Sequence, residues 1–315
     1  MRSSGYLAVL SLTLLAPHAV SQEHLRFVVT GDDRGDDTGV NTVAMKRWIK
    51  AVLQEKPSIL LFNGDLVAGA GSDEAELAQF KTWLNVMQPI YKAGIKVLTC
   101  RGNHETLCPH PDKVWRQVFS GRYANPSPQA KGEEQETYAY TAGNVLFLAL
   151  DQFHGQQPEV NQKWLDQQLA ANPKLHVFPF THKMAFRVGL HDDGMDIHPA
   201  ARDRFLDSIL NAGGHVLFFG HDHLYDHTYI SKPGKGIHQI VVGTAGAPFY
   251  NGADHGGQNG DWKLNTVSHI ERKIGYCVVD VDGAKVTVTF KAETSPGVFK
   301  AADKFSWVAT PRRKK

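Results

Sequence analysis

Short apolar runs, each closed by a small polar cluster, recur along the chain. Residues 25–30 read as a strand that ends in Gly31-Asp32, residues 58–62 as a strand that ends in Asn63-Gly64-Asp65, and residues 96–100 as a strand that ends in Arg101-Gly102-Asn103-His104. Residues 176–181 and 215–219 repeat the form and close on Thr181-His182 and Gly220-His221-Asp222-His223. Between these runs the apolar positions change to helical spacing. Val43, Trp48, Ile49 and Val52 share a face within residues 41–55, and Leu77, Phe80, Leu84 and Met87 share one within residues 73–93. Residues 160–171 and 199–211 predict two further helices. Residues 138–140 and 144–151 predict paired strands, 238–243 another strand, and 276–280 with 285–291 a hairpin turned at Asp282-Gly283. The polar stretch 109–136, rich in Pro, Gly and Gln, reads as an irregular excursion. Strands mixed with crossover helices and closing hairpins predict an α/β fold of two packed sheets with helices outside, in one domain and without repeats.

Composition adds bounds. With 315 residues and 42% hydrophobic side chains, the chain has ample material for a core. A net charge of +2 gives no pull toward nucleic acid or membrane, and the basic end Arg312-Arg313-Lys314-Lys315 reads as a frayed, soluble tail. The N-terminus has the form of a signal peptide over residues 1–21: Arg2, an apolar stretch over 6–15, Pro17, and the small-x-small site Ala19-Val20-Ser21. That stretch is short for a membrane span. The expectation is cleavage after Ser21, no transmembrane helix thereafter, and a secreted or periplasmic protein. Of the three cysteines, Cys100 and Cys108 bracket a loop and either bridge or remain buried thiols, while Cys277 falls in an apolar strand. Their spacing matches no zinc site.

The chemistry lies in the polar clusters. Ligands bind beyond the carboxyl ends of strands in α/β sheets, and glycine there allows close backbone approach. One Gly-Asp after a strand is an ordinary turn. In His-x-His, however, both imidazoles point the same way along an extended segment. Five clusters of Asp, Asn and His in order suit divalent ions of the Mn, Fe or Zn kind.

The ordered set Asp32, Gly64-Asp65, Gly102-Asn103-His104-Glu105, His182 and Gly220-His221-Asp222-His223 resembles the calcineurin-like metallophosphoesterase superfamily. Gly220-His221-Asp222-His223-Leu224-Tyr225, Gln162-Lys163-Trp164-Leu165 and Val242-Gly243-Thr244-Ala245-Gly246 resemble its purple acid phosphatase-like branch. The resemblance implies a four-layer α/β/β/α sandwich of two mixed sheets over residues 22–315. It also implies two divalent or trivalent ions and hydrolysis of a small-molecule phosphate ester. By the same resemblance Asp65 bridges the ions, Asp32 and His223 hold the first, and Asn103, His182 and His221 hold the second. His104 faces the leaving group as general acid or hydrogen-bond donor.

Two positions depart from the pattern. Arg34 stands where many members carry a metal-binding His, and Ala68 stands where the purple acid phosphatases carry a metal-binding Tyr. Water, Asp33 or Asp36 can complete the first site instead, and no tyrosinate-to-iron colour is expected. Arg34 either clamps a substrate phosphate or pairs at the surface with Asp33 or Asp36. Within the polar segment 186–198, His191 is a candidate substrate residue, although a solvated loop is the blander reading. Asp151 and His154 also follow a strand, without a motif to give them a role, and the Gly-rich stretch 251–261 reads as a rim. The expected activity is a phosphomonoesterase of acid phosphatase type. The alternatives are a phosphodiesterase with the same site and a non-catalytic phospho-ligand binder.

Overall fold

The computed structural model describes residues 24–310 other than 36, 37, 251, 253 and 254. The signal-peptide segment, Asp36 and the basic tail lie outside the described residues. In chain order the elements are β1 (His24–Thr30), α1 (Thr42–Glu55), β2 (Ile59–Phe62), α2 (Asp73–Val86), α3 (Gln88–Lys92), β3 (Lys96–Thr99), α4 (Pro111–Val118), β4 (Tyr138–Ala142), β5 (Val145–Ala149), α5 (Gln162–Ala171), β6 (His176–Phe180), α6 (Pro199–Asn211), β7 (Val216–Phe219), β8 (Tyr225–Lys232), β9 (Lys235–Val242), β10 (Gly257–Asn259), β11 (Trp262–Ile270), β12 (Gly275–Asp282), β13 (Lys285–Ser295) and β14 (Val298–Val308). They form a six-stranded sheet, β14-β13-β12-β1-β2-β3, and an eight-stranded sheet, β10-β11-β8-β9-β7-β6-β5-β4.

Both sheets are mixed. β1, β2 and β3 run parallel, as do β5, β6, β7 and β9, and the remaining pairings are antiparallel. Strands buried on both faces need apolar side chains at every position, which is why these runs are continuous rather than alternating. Phe27, Val29, Leu61 and Phe218 point between the sheets; Val28, Leu60 and Phe62 point to α1–α4, and Leu217 and Phe219 point to α5 and α6. The layers are therefore helix, sheet, sheet, helix. Phe27 joins the sheets at its edges, with ring centroids 5.0 Å from Phe147 and 4.9 Å from Phe178. Such pairs contribute about 0.5–1.5 kcal/mol each beyond area burial.

The structure departs from the sequence reading at several places. Residues 73–93 form two helices, because Pro89 has no N–H to continue the ladder from α2 into α3. The stretch 109–136 contains α4, opened by Pro111 and burying Val114, Trp115 and Val118. The unpredicted strands β8, β11 and β14 widen the sheets, and β10 occupies part of the Gly-rich stretch. Cys100 and Cys108 form no disulfide. Cys100 lies in the core between the sheets and Cys108 in the core under the helices, so the thiols are on opposite sides of β3.

Candidate metal centre

All five polar clusters lie at one edge, where the parallel strands β1, β2, β3, β6 and β7 end. The backbone turns sharply there. Asp32, Asp65 and His221 have φ of 63°, 53° and 73°, a left-handed conformation that costs a non-glycine residue of order 1–3 kcal/mol. Four loops cross so closely that a Cβ on Gly102 would meet Asp65 Oδ1, and one on Gly220 would meet Asp32 Oδ2. Buried Glu105 ties two of the loops together by accepting the N–H groups of Gly102 (2.6 Å), Asp65 (3.0 Å) and Val67 (3.1 Å).

Each candidate histidine has one nitrogen anchored and the other turned inward. A carbonyl or carboxylate can only accept, so His182 donates from Nδ1 to the Asn63 carbonyl (2.8 Å), His223 from Nδ1 to the Pro248 carbonyl (2.5 Å) and His221 from Nε2 to Asp193 Oδ1 (2.8 Å). The lone pairs left over converge. His182 Nε2 faces His221 Nδ1 at 3.2 Å, Asn103 Oδ1 at 3.0 Å and Asp65 Oδ1 at 3.3 Å. Beside them, His223 Nε2 is 3.6 Å from Asp32 Oδ1, and Asp32 Oδ2 is buried with no hydrogen-bond partner. Acceptor facing acceptor at these distances, with no donor between, is a site built for cations. Donors about 2 Å from one ion are spaced about 3–3.5 Å apart.

The electrostatics agree. Burial pushes both the His182 and the His223 imidazole down to about 3, which keeps them neutral and able to ligate. Burial, with Asp65 adjacent, pushes the Asp32 carboxyl well up. Burial also acts to raise Asp65, but His182, His104 and His221 around it hold it below the ordinary range.

The other named residues are placed as follows. His104 donates from Nδ1 to the Ala68 carbonyl (2.6 Å), and its Nε2 lies 3.8 Å from Asp65 Oδ2. Arg34 is not a surface residue paired with Asp33. Its Nε is 3.8 Å from Asp65 Oδ2, while its Nη2 donates to the Tyr250 hydroxyl at 2.5 Å. Asp33 turns away from the site and accepts the indole N–H of Trp83 at 3.1 Å, since its neighbours on that side are α2 and the helix core. His191 stacks on His221 with centroids 4.0 Å apart and bonds Asp222 Oδ1 at 2.8 Å. The segment 186–198 is thus only partly a solvated loop: His191 and Asp193 reach the site, and Phe186, Val188 and Met195 are core. Asp151 stays outside, bonded with Asp112 to the buried Arg101, while His154 pairs with Glu136. Three residues here had no role in the sequence reading. Glu105 sat within a motif and Asp193 within a polar segment, but Tyr250, stacked on His223 at 4.2 Å, had no sequence signal.

The sequence model for calcineurin-like phosphoesterases matches residues 25–225, more than half of the chain. Serine/threonine-protein phosphatase CPPED1 of Homo sapiens is 23% identical over 211 residues, which cover 62% of this chain and 63% of the relative. The chain therefore spans just under two thirds of that relative's length. Among solved structures, purple acid phosphatase PPD1 of Lupinus luteus superposes with a TM-score of 0.65 at 15% identity, over 90% of this chain and 54% of that one. GAP50, described as the anchor in the inner membrane complex of Plasmodium, superposes at 0.61 with 14% identity, over 93% and 90%. At these identities the two structures establish the fold alone. The family match places this chain among the calcineurin-like phosphoesterases.

Proposed function

We propose that the chain is a phosphoric monoester hydrolase that works with two metal ions. The observation that carries this reading is the convergence of acceptors at the strand ends, each imidazole being anchored through its other nitrogen. Asp65 is suited to bridge two ions, Asp32 and His223 to hold one, and Asn103, His182 and His221 to hold the other. An all-nitrogen-and-oxygen donor set favours Fe, Mn or Zn over soft ions. Two such ions, when bound, supply charge to phosphoryl oxygens and lower the pKa of water.

The chain's own groups do the rest. Because Ala68 takes the Nδ1–H of His104, a proton on Nε2 makes this ring an imidazolium aimed at the site, ready to hand that proton to a departing oxygen. Arg34 brings a fixed positive charge beside Asp65, and Tyr250 holds its guanidinium in place. Such a charge matches the second negative charge of a monoester, which a diester lacks. The human relative's name, a serine/threonine-protein phosphatase, also favours a monoester. Fold alone does not, since GAP50 shares it and is described as an anchor. Residues 1–21 support an exported protein, and an intact Met1 in the mature protein would count against export.

The test is turnover of p-nitrophenyl phosphate and bis-p-nitrophenyl phosphate by the full chain reloaded with Mn, Fe or Zn. The monoester should be preferred, and Arg34→Gln should narrow that preference. His104→Asn should lower turnover by about 10²–10⁴-fold with metal content intact. Faster hydrolysis of the diester would overturn the monoester reading. Two bound equivalents with no turnover of either ester would overturn the hydrolase in favour of a phospho-ligand binder.

A further inference from the structure

A second group of metal-type donors lies outside the candidate centre, where the rim segment meets the edge of the larger sheet. Asp226 on β8 and His269 on β11 are register partners, so their side chains share a face. His255 reaches them from the segment that precedes β10. The Asp226 carboxylate is fully buried, and its Oδ2 lies 2.8 Å from both His255 Nε2 and His269 Nδ1.

The outward side of this group is already held. The other oxygen of Asp226 accepts the Thr228 hydroxyl at 2.6 Å. His269 Nε2 faces Glu271 Oε1 at 3.3 Å, and the same Glu271 oxygen accepts the Gly252 N–H. A carboxylate behind an imidazole is the usual partner of a metal-binding histidine, because it fixes the tautomer that turns the lone pair to the ion. With Nε2–H directed to Glu271, His269 Nδ1 presents its lone pair to Asp226. The Asp226 hydrogen bond raises the His269 imidazole, so a second ring proton can fill this 2.8 Å contact; a metal ion takes the same place, and His255 brings a further nitrogen to the same oxygen.

We propose that Asp226, His255 and His269 bind a divalent zinc-type ion, separate from the paired centre. Two neutral imidazoles and one carboxylate suit zinc, with water completing the shell. The charges also balance: the dication meets Asp226 directly and Glu271 one step out. The ion would anchor the rim segment to β8 and β11. That segment also carries Pro248, which takes the Nδ1–H of His223, and Tyr250, which stacks on His223 and bonds Arg34. One structural ion would thus hold in place the loop that closes over the first metal position.

The test is zinc content of the full chain by elemental analysis after dialysis, for wild type, His255→Gln, His269→Asn and Asp65→Asn. His255 lies outside the regular strands, so its variant keeps the fold even if the His269 variant does not; circular dichroism checks both. The expected result is loss of one zinc equivalent in each histidine variant, with that equivalent retained in Asp65→Asn. A zinc content unchanged by His255→Gln and His269→Asn overturns the proposal and leaves a hydrogen-bonded clamp. The readout does not involve hydrolysis. Failure of the hydrolase reading would instead appear as absent turnover, or as a total metal content left unchanged by Asp65→Asn.

Discussion

Asp193 accepts the Nε2–H of His221 with one oxygen and the Lys183 ammonium (2.6 Å) with the other. The hydrogen bond from His221, followed by the hydrogen bond and charge of Lys183, holds the Asp193 carboxyl well below the usual carboxylate range, so it is an acceptor at any working pH. Its effect is to keep the proton of His221 on Nε2 and the lone pair on Nδ1, facing His182. Partners of this kind are worth about 10–100-fold in metal affinity or activity. Asp193→Ala should therefore weaken metal retention by a factor in that range, and Asp193→Asn, which keeps one acceptor oxygen, should weaken it less. Competition with a chelator measures both, and equal retention in wild type and Asp193→Ala would mean that His221 is oriented without this contact. A stretch of polar residues gave no means of telling Asp193 from Asp192. Which of them reaches back to the histidine depends on the path of a loop pinned by Met184 and Met195, whose backbones bond at 2.9 Å.

At the level of elements, α4 is an instructive failure of pattern reading. Pro109, Pro111 and the charged residues around them look like a helix breaker, yet Pro111 is the first helical residue, where a missing N–H costs nothing. Only three side chains of α4 are buried, and Trp115 is the chief of them. Its ring lies 4.2 Å from Phe119 and 6.0 Å from Phe80, and its indole N–H donates to the Gln135 carbonyl at 2.8 Å. Trp115→Ala should cost about 3–5 kcal/mol of unfolding free energy, measured by denaturant titration. A loss under about 1 kcal/mol, the usual range for surface changes, would mean that α4 is not anchored to the core. The strands that close on the polar clusters, β1, β2, β3, β6 and β7, were legible because they are covered on both faces, where burial demands an unbroken apolar run; β4, β5, β9, β12 and β13 were legible as well. β8, β11 and β14 were not legible. Tyr225–Lys232 carries Asp226, His227 and Thr228, buried through hydrogen bonds and ring packing rather than through apolar character. The same logic applies to the candidate site. Its six donors follow strand ends and could be listed from the sequence, whereas Tyr250 and Asp193 are brought in by loops whose course depends on the completed fold.

Across the whole molecule, the two edges of the sandwich carry histidines of different consequence. At the edge opposite the candidate centre, His176 and His215 stand at the starts of β6 and β7, and His238 on β9 contacts His227 (2.8 Å), which in turn bonds Asp303 (2.8 Å). Phe305 of β14 covers this group, its ring 4.5 Å from His238 and 4.2 Å from His227. Burial, with His227 and His215 nearby, pushes the His238 imidazole down to about 3, and burial lowers His176 and His215 as well. The folded chain therefore binds fewer protons here than the unfolded chain, whose histidines titrate near about 6.5. The associated stability is fully present above that pH and is lost as pH falls from about 6.5 toward about 3, below which both states are protonated. In metal-free protein, where the candidate ligands contribute equally to both chains compared, the melting temperature should drop over that interval. His238→Gln, which keeps a donor for His227 but has no proton to gain, should shrink the drop. Parallel melting curves for wild type and variant from pH 7 to pH 4 would show that His238 is already charged in the folded protein, and that acid instability arises elsewhere.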